Sequence, residues 1–484
     1  MAARPHLIFV LADQLRSDVL GCFGGAGVPG RSVTPKLDLF AQRAMAFERH
    51  FTPCPLCVPA RSSLMTGLEP LAHGAVVNGW LPHEQPYGTV RDGLRLLPDH
   101  LAEAGYRVVH CGVQHVRTAG GFEADQPSVE FIGPRGVGDH LKALDEQGLM
   151  TGDLDALRDP VIDFDRGRAV VKAASSARTA VFPLDERHWY DARLTDLAVE
   201  AIRGHAGQPG DRPLAVFLML WLPHPPFWAP EPWVSMIDPE DVKLPNDIGS
   251  WFRGMAPLAL RNQPGQLGQN IGMDGWRRLW AVYLGMVGLL DKCVGRVLAA
   301  LDYAEMLSDA VVAVSSDHGE MLGSHRLLQK MCMYEPAVRV PLLVKTPGPL
   351  TMDGRKMHQL SDHLDLVATL TDYADAGPVN DNAPGRSLRP LLDRRGDERP
   401  PREHVFATYD GNAGRGFHQR MVRSPTHKLI HNVGDHAELY DLVEDPRETK
   451  NLIRDEAHRD ARRALTARLR RWMDEHGDPQ PWPR

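Results

Sequence analysis

Three short runs in this chain are apolar without interruption: Leu7-Ile8-Phe9-Val10-Leu11, residues 214–221, and Ala310-Val311-Val312-Ala313-Val314. A strand with one face in water alternates polar and apolar residues. A short run without that alternation has both faces buried, as strands of a parallel sheet do. Helix signals lie between the runs. Thr34-Pro35 precedes Lys36-Leu37-Asp38-Leu39-Phe40-Ala41, with proline suited to a first turn. Residues 276–301 keep helical periodicity over many turns. Residues 279–290 are apolar but flanked by Arg277, Arg278 and Asp291, which reads as a buried helix. Strands alternating with helices predict an α/β fold, a large central and mostly parallel sheet flanked by helices.

A chain of 484 residues would suggest about three domains at roughly 150 residues each. Large α/β enzymes depart from that prior, and the composition shifts near residue 376. Residues 376–403 hold many prolines, glycines and charges and read as a surface connection. The expected division is one large domain over 1–375, then a smaller α+β subdomain over 376–484 that includes the connection. The last helix, near residues 455–475, mixes Arg with Asp and Glu and reads as a solvated amphipathic helix.

The formal net charge of −7 argues against a nucleic-acid binder with a broad basic surface. It leaves room for an anionic substrate, because a pocket can be cationic inside an acidic protein. The six cysteines are scattered, which argues against a disulfide framework. Residues 7–11 are too short to span a membrane and lack a small-residue cleavage site, so a cytoplasmic, membrane-free protein is expected.

The densest chemistry lies in Cys57-Val58-Pro59-Ala60-Arg61-Ser62-Ser63-Leu64-Met65-Thr66-Gly67. Pro59 suits the first turn of a helix, which sets Cys57 at its start and Arg61 one turn on. Backbone N–H groups at a helix start favour anions, so Cys57 would stand beside two sources of positive potential. Cys54 and Cys57 also form a C-x-x-C pair. A redox or zinc role would need a thioredoxin-like context or a second such pair, and a buried structural cysteine is the remaining alternative.

Cys57-x-Pro59-x-Arg61 followed by Leu64-Met65-Thr66-Gly67 closely resembles the type I sulfatase signature, within the alkaline phosphatase-like superfamily. The resemblance runs along most of the chain. Thr34-Pro35-Lys36-Leu37-Asp38 is similar to the family's early helix, and residues 361–370 and Gly385-Arg386-Ser387-Leu388 to later core segments. Glu438-Leu439-Tyr440-Asp441-Leu442, with Asp445-Pro446-Arg447-Glu448 and Asn451-Leu452, is similar to its C-terminal landmark. The resemblance implies that Cys57 is oxidised to Cα-formylglycine by a formylglycine-generating enzyme. The hydrated aldehyde carries two hydroxyls on one carbon. One attacks sulfur; collapse of the other to C=O expels sulfate and restores the aldehyde.

Asp13-Gln14 follows the first predicted strand and Asp317-His318 follows the third. Ligands gather beyond the carboxyl ends of strands in an open α/β sheet, so neighbouring strands would bring these four residues together. Carboxylate and amide oxygens suit a hard divalent cation. The alternatives are a helix cap at Asp13 and a turn at Asp317-His318-Gly319. The resemblance assigns both pairs to the family's metal positions. His318 stands where calcium sulfatases have asparagine, and Gln14 replaces a carboxylate. That exchange moves ligand preference toward manganese, zinc or iron; the expected cofactor is one divalent cation, calcium or manganese, with zinc and magnesium as further candidates.

His224, in Pro223-His224-Pro225-Pro226-Phe227, and Lys330 match family positions that hold the transferred group or protonate the leaving oxygen. Taken singly they would read as a satisfied loop histidine and a solvated lysine. His73 and Asn78 follow the nucleophile helix and are candidates for the pocket lining. Gly105-Tyr106 leads into Gly112-Val113-Gln114-His115, where many sulfatases have Gly-Lys-x-His. His115 matches; Val113 replaces the lysine. Trp80, Phe227 and Trp228 are candidates for an apolar wall, or for core. Gly25-Ala26-Gly27-Val28-Pro29-Gly30 is a literal G-x-G-x-x-G, but it neither follows a strand directly nor opens a helix, and reads as a loop. The expected function is hydrolysis of a small anionic sulfate ester. Phosphonate or phosphate ester hydrolysis on the same fold is the alternative, and a non-enzymatic binding protein a third reading. Relatives of this kind often form homo-oligomers.

Overall fold

The computed structural model describes residues 4–80, 82–149, 152–165, 168–207, 210, 212–348, 354–393, 400–412 and 417–481. The three apolar runs lie side by side. The strand His6–Ala12 pairs in parallel with Ala310–Ser316 on one edge and with Leu214–Met219 on the other. Alternate residues of His6–Ala12 enter opposite cores: Ile8, Val10 and Ala12 on one face, Leu7, Phe9 and Leu11 on the other. This two-sided burial is the physical reason that the run lacks polar alternation.

These strands sit in the middle of a 9-stranded sheet. Outward from Leu214–Met219 come Arg107–Gly112 and Val129–Ile132, both parallel to their neighbours. Outward from Ala310–Ser316 come Arg339–Lys345 and Met45–Phe51, each antiparallel to the strand before it. The short strands Arg355–Met357 and Ser361–Asp362 add in parallel to Met45–Phe51. The helix Met273–Tyr303 covers one face with Trp276, Leu284, Val287 and Leu290. Helices Cys57–Thr66 and His363–Tyr373 cover the other with Val58, Leu64, Leu366 and Leu370. The expected large, mostly parallel sheet between helical layers is therefore the architecture observed.

A second sheet has four antiparallel strands in chain order: Val405–Tyr409, Gln419–Arg423, His427–Asn432 and Glu438–Asp441. One face carries Val422, Leu429 and Leu439 against Leu465, Leu469 and Trp472 of the helix Arg459–Glu475. The other face, with Met421, Ile430 and Tyr440, shares a core with Phe51, Met321, Met333 and Tyr334. The small sheet thus backs the loop that runs from the end of the strand Ala310–Ser316 to Tyr334. The connection expected over 376–403 includes a short helix at Arg389–Leu392, and its residues 394–399 lie outside the described residues. The six cysteines are free thiols.

Candidate active site

The parallel register that aligns Ala12 with Ser316 makes Asp13 and Asp317 leave the sheet together at its carboxyl edge. Both are fully buried. Gln14 then takes a left-handed backbone, φ 66°, which is uncommon for a residue with a side chain. Its N–H donates to Asp317 Oδ1 at 3.1 Å and its carbonyl accepts from the Tyr283 hydroxyl at 2.9 Å. Gln14 Nε2 donates to Glu320, and Gln14 Oε1 accepts from Lys330 Nζ.

The helix Cys57–Thr66 begins at Cys57 itself, so the thiol stands at the helix start. Asn78 Oδ1 accepts from the Val58 N–H at 3.1 Å and satisfies one of the free donors there. Arg61, one turn on, forks between both carboxylates: Nε donates to Asp317 Oδ2 at 2.8 Å, and NH2 to Asp13 Oδ2 at 3.0 Å. Its remaining nitrogen donates to the Val113 carbonyl at 2.9 Å. Cys57 Sγ lies 3.1 Å from His318 Nε2 and 3.9 Å from Asp13 Oδ1. His318 Nδ1 pairs with the Gly319 carbonyl at 3.1 Å, which assigns the proton to Nδ1 and leaves the Nε2 lone pair facing the cluster. Ligand atoms of Asp13, Cys57, Asp317 and His318 all fall within 4.8 Å of one another.

Burial, then the charge of Asp317, pushes the Asp13 carboxyl up to about 7 against the pull of Arg61 and Lys330. Burial acts the same way on Asp317, but His318, Arg61, the Gln14 N–H and Lys330 outweigh it and hold this carboxyl well below the usual range. The pair therefore keeps one negative charge firmly and the second weakly, a state that a bound cation would stabilise. Burial lowers His318 to about 3, so its imidazole is neutral and available as a ligand. The Cys57 thiol is pushed far up by burial and by Asp13. As a thiol it is a poor nucleophile at neutral pH.

Lys330 Nζ donates to His224 Nε2 at 3.0 Å, while His224 Nδ1 is held by the Pro225 carbonyl at 2.5 Å. These two residues and Gln14 form one side of the cluster. His115 lies on another, with Nδ1 4.0 Å from Asp13 Oδ2. That nitrogen is buried and has no hydrogen-bond partner among the described residues. Asn78 faces the helix start and donates to Asn412 Oδ1 at 2.8 Å, so its side chain is committed to positioning the helix. His73 is not brought to the cluster. It is fully buried behind the helix, with Nδ1 accepting from the Ala75 N–H at 3.2 Å and Nε2 paired with Ser63 Oγ at 3.0 Å.

Of the apolar candidates, Phe227 and Trp228 are core residues; Trp228 packs edge-on to Phe182 and Trp189. Trp80 is 48% exposed and meets the His115 ring edge-on at 5.6 Å. The Val113 side chain enters the main core, so this position supplies Arg61 with a backbone carbonyl and the cluster with no cation.

Glu320 is the residue that sequence reasoning passed over. Fully buried, it accepts from Gln14 on one oxygen and from the Leu322 N–H (2.9 Å) and the Gln329 N–H on the other. It therefore couples the Gln14 amide to the loop that ends in Lys330. Its place in Asp317-His318-Gly319-Glu320 was the available signal.

Two carboxylates, an amide oxygen and an imidazole converge beside a residue at a helix start, with Arg61 and Lys330 interleaved. Such a set fits one divalent cation together with a tetrahedral anion. The family model described as Sulfatase matches residues 5–376, and that described as N-sulphoglucosamine sulphohydrolase, C-terminal, matches residues 323–475. The chain is 25% identical over 522 residues to the multifunctional alkaline phosphatase superfamily protein PehA of Trinickia caryophylli, covering 98% of this chain and 96% of that protein. It is 24% identical over 471 residues to an arylsulfatase of Clostridium perfringens, covering 94% and 92% of the two chains. The solved phosphonate monoester hydrolase of Agrobacterium radiobacter superposes with a TM-score of 0.78 at 24% identity, covering 98% of this chain and 96% of that one.

Proposed function

This chain belongs to the sulfatase family of sulfuric ester hydrolases, and from that premise we propose that it uses a formylglycine made from Cys57 and one divalent cation. The cation would be held by Asp13, Gln14, Asp317 and His318. The observation that carries the reading is the position of Cys57. Its thiol is suppressed by burial, yet it occupies the helix start within 3.1 Å of His318, beside the carboxylates and Arg61. A side chain inert as a thiol at the most electrostatically prepared point of the site is well explained as a precursor.

The contacts of the chain's own residues support a role for each. Arg61 takes Oδ2 of each carboxylate, which leaves Asp13 Oδ1 toward Cys57, while Asp317 Oδ1 also accepts from the Gln14 and His318 N–H groups. Glu320 accepts from Gln14 Nε2 and so turns the Gln14 Oε1 toward the cluster, where it accepts from Lys330. Lys330 would hold the nonbridging oxygens of the ester and supply a proton near the leaving oxygen, with His224, whose Nε2 accepts from it, orienting the ammonium and with His115 on the opposite side. Charge stabilisation of this kind contributes roughly 10²–10³ in rate per donor. The cation, calcium or manganese with zinc and magnesium as alternatives, would supply polarisation of the ester and a lowered pKa for the attacking hydroxyl. A formylglycine hydrate at position 57 would supply one hydroxyl for attack on sulfur and a second for release of sulfate.

Co-expression with a formylglycine-generating enzyme tests the reading. The peptide containing Cys57 should carry an aldehyde by mass spectrometry, while Cys54, lacking proline and arginine at the matching offsets, stays a thiol. Full activity in protein that holds only the Cys57 thiol would sink the proposal.

A second reading, hydrolysis of a phosphonate ester at the same site, is favoured by one observation: Val113 withholds the cation that many sulfatases have at this position, its side chain being in the core. Comparison of kcat/KM on sulfate and phosphonate esters that share a leaving group decides between them, because that ratio reports differential transition-state binding. A clear preference for the phosphonate selects the second reading and leaves the nucleophile assignment standing.

The division at residue 375/376, a cytoplasmic location, and assembly into a homo-oligomer belong to the same proposal. Limited proteolysis, cell fractionation and light scattering address them in turn. Among the described residues no helix is long and apolar enough to cross a membrane.

A further inference from the structure

Far along the chain from the central cluster, the second sheet builds another convergence of ligand atoms. His427 opens the strand His427–Asn432, and Asp441 closes the strand Glu438–Asp441; the antiparallel register sets these two residues opposite each other. His458 ends the single turn Glu456–His458 that precedes the helix Arg459–Glu475. His427 Nε2 lies 3.6 Å from Asp441 Oδ2 and 3.4 Å from His458 Nδ1. All three ligand atoms fall within 4.8 Å of one another. We infer that His427, Asp441 and His458 form a second metal site, selective for a zinc-like divalent cation.

Distances and orientation carry the inference. Bonds of about 2.0–2.1 Å to a tetrahedral zinc ion separate its ligand atoms by about 3.3–3.4 Å. Two of the separations here are close to that span without any rearrangement. The other atom of each of two ligands is already committed. His427 Nδ1 pairs with Thr426 Oγ1 at 2.9 Å; with the imidazole proton on that nitrogen and the hydroxyl accepting it, Nε2 offers its lone pair to a cation. Asp441 Oδ1 accepts from the Val443 N–H at 2.9 Å and the Glu444 N–H at 3.2 Å, so Oδ2 is the oxygen turned to the histidines. Two imidazoles and one carboxylate select zinc-like ions over calcium or magnesium, which prefer sets made of oxygen. The three side chains are half-buried and open to solvent, so water completes the coordination.

The site would pin the hairpin of the second sheet to the start of the last helix. Its occupation is therefore read by binding and stability, and it is independent of the central chemistry.

The test uses the full-length enzyme with its central metal in place. Equilibrium dialysis against zinc, followed by elemental analysis, should show one further equivalent per chain. That equivalent should disappear in His427→Ala and in His458→Ala, and persist in Asp317→Ala. Cobalt(II) as the probe should give the intense visible bands of a tetrahedral site in the wild type and not in His458→Ala. Zinc should raise the melting temperature of the wild type more than that of His458→Ala. Should His427→Ala fold poorly by circular dichroism, His458→Ala, altered in an irregular turn, carries the test. No further equivalent of zinc, or one that survives in His458→Ala, overturns the assignment.

Discussion

The central and peripheral clusters use the same residue types to different ends. Both join histidine to aspartate across two strands. The central one is fully buried and has Arg61 and Lys330 bonded into it. The peripheral one is half-buried and is oriented by a hydroxyl and backbone N–H groups. Burial without counterions would leave two aspartates close together in a poorly solvating interior, where one would protonate. His318, Arg61 and Lys330 keep Asp317 ionised, while Asp13, pushed up to about 7, shares its proton with solvent near neutral pH. A cluster with built-in cations accommodates a metal ion and an anionic substrate at once. One held by neutral donors accommodates the metal alone.

The largest expected effect comes from Asp317→Ala, which separates the two clusters outright. The central cation should be lost, and esterase activity should fall on the order of 10³-fold or more, a loss of several kcal/mol of transition-state stabilisation. Elemental analysis of the variant checks both halves; an unchanged central stoichiometry would disprove the ligand assignment.

Lys330→Ala should make the central cluster resemble the peripheral one, with its metal kept and its chemistry lost. A drop in kcat of ~10²–10³-fold is expected at unchanged metal content. If metal content fell in parallel with kcat, Lys330 would be acting through the site's assembly and not on the ester.

Glu320→Ala tests whether the Gln14 amide is oriented from behind. Metal affinity should weaken by ~10–100-fold, with kcat recovering at high metal concentration. Failure to recover would mean that the loop carrying Lys330 had also moved.

The smallest effect on catalysis is expected from His73→Ala. Removing this ring leaves Ser63 and the Ala75 N–H without their partner and opens a cavity, for a loss of about 2–4 kcal/mol in stability. The kcat of the folded fraction should stay close to the wild-type value, because the ring touches neither the cluster nor its ligands. A much larger loss of kcat would return His73 to the pocket.

Residues adjacent in the chain decided much of this molecule. The uninterrupted apolar runs required strands buried on both faces, and that requirement determined which residues leave the sheet together: Asp13 and Asp317, one residue beyond Ala12 and Ser316. Proline near the start of the helix Cys57–Thr66 likewise placed Cys57 and Arg61 one turn apart. These are local consequences of period, burial and backbone sterics. Other assignments depended on where distant segments return. His73 was a plausible pocket residue until Ser63 and Ala75 took both its nitrogens. Phe227 and Trp228 could have been wall or core, and packing against residues far away in sequence made them core. Val113 turned its side chain inward and kept its carbonyl for Arg61. The peripheral cluster joins residues 427, 441 and 458, whose spacing follows no ligand pattern. Strand register and the entry of the last helix bring them together. Period and burial are written into neighbouring residues, whereas the partner of a polar atom is chosen by the closure of the whole chain.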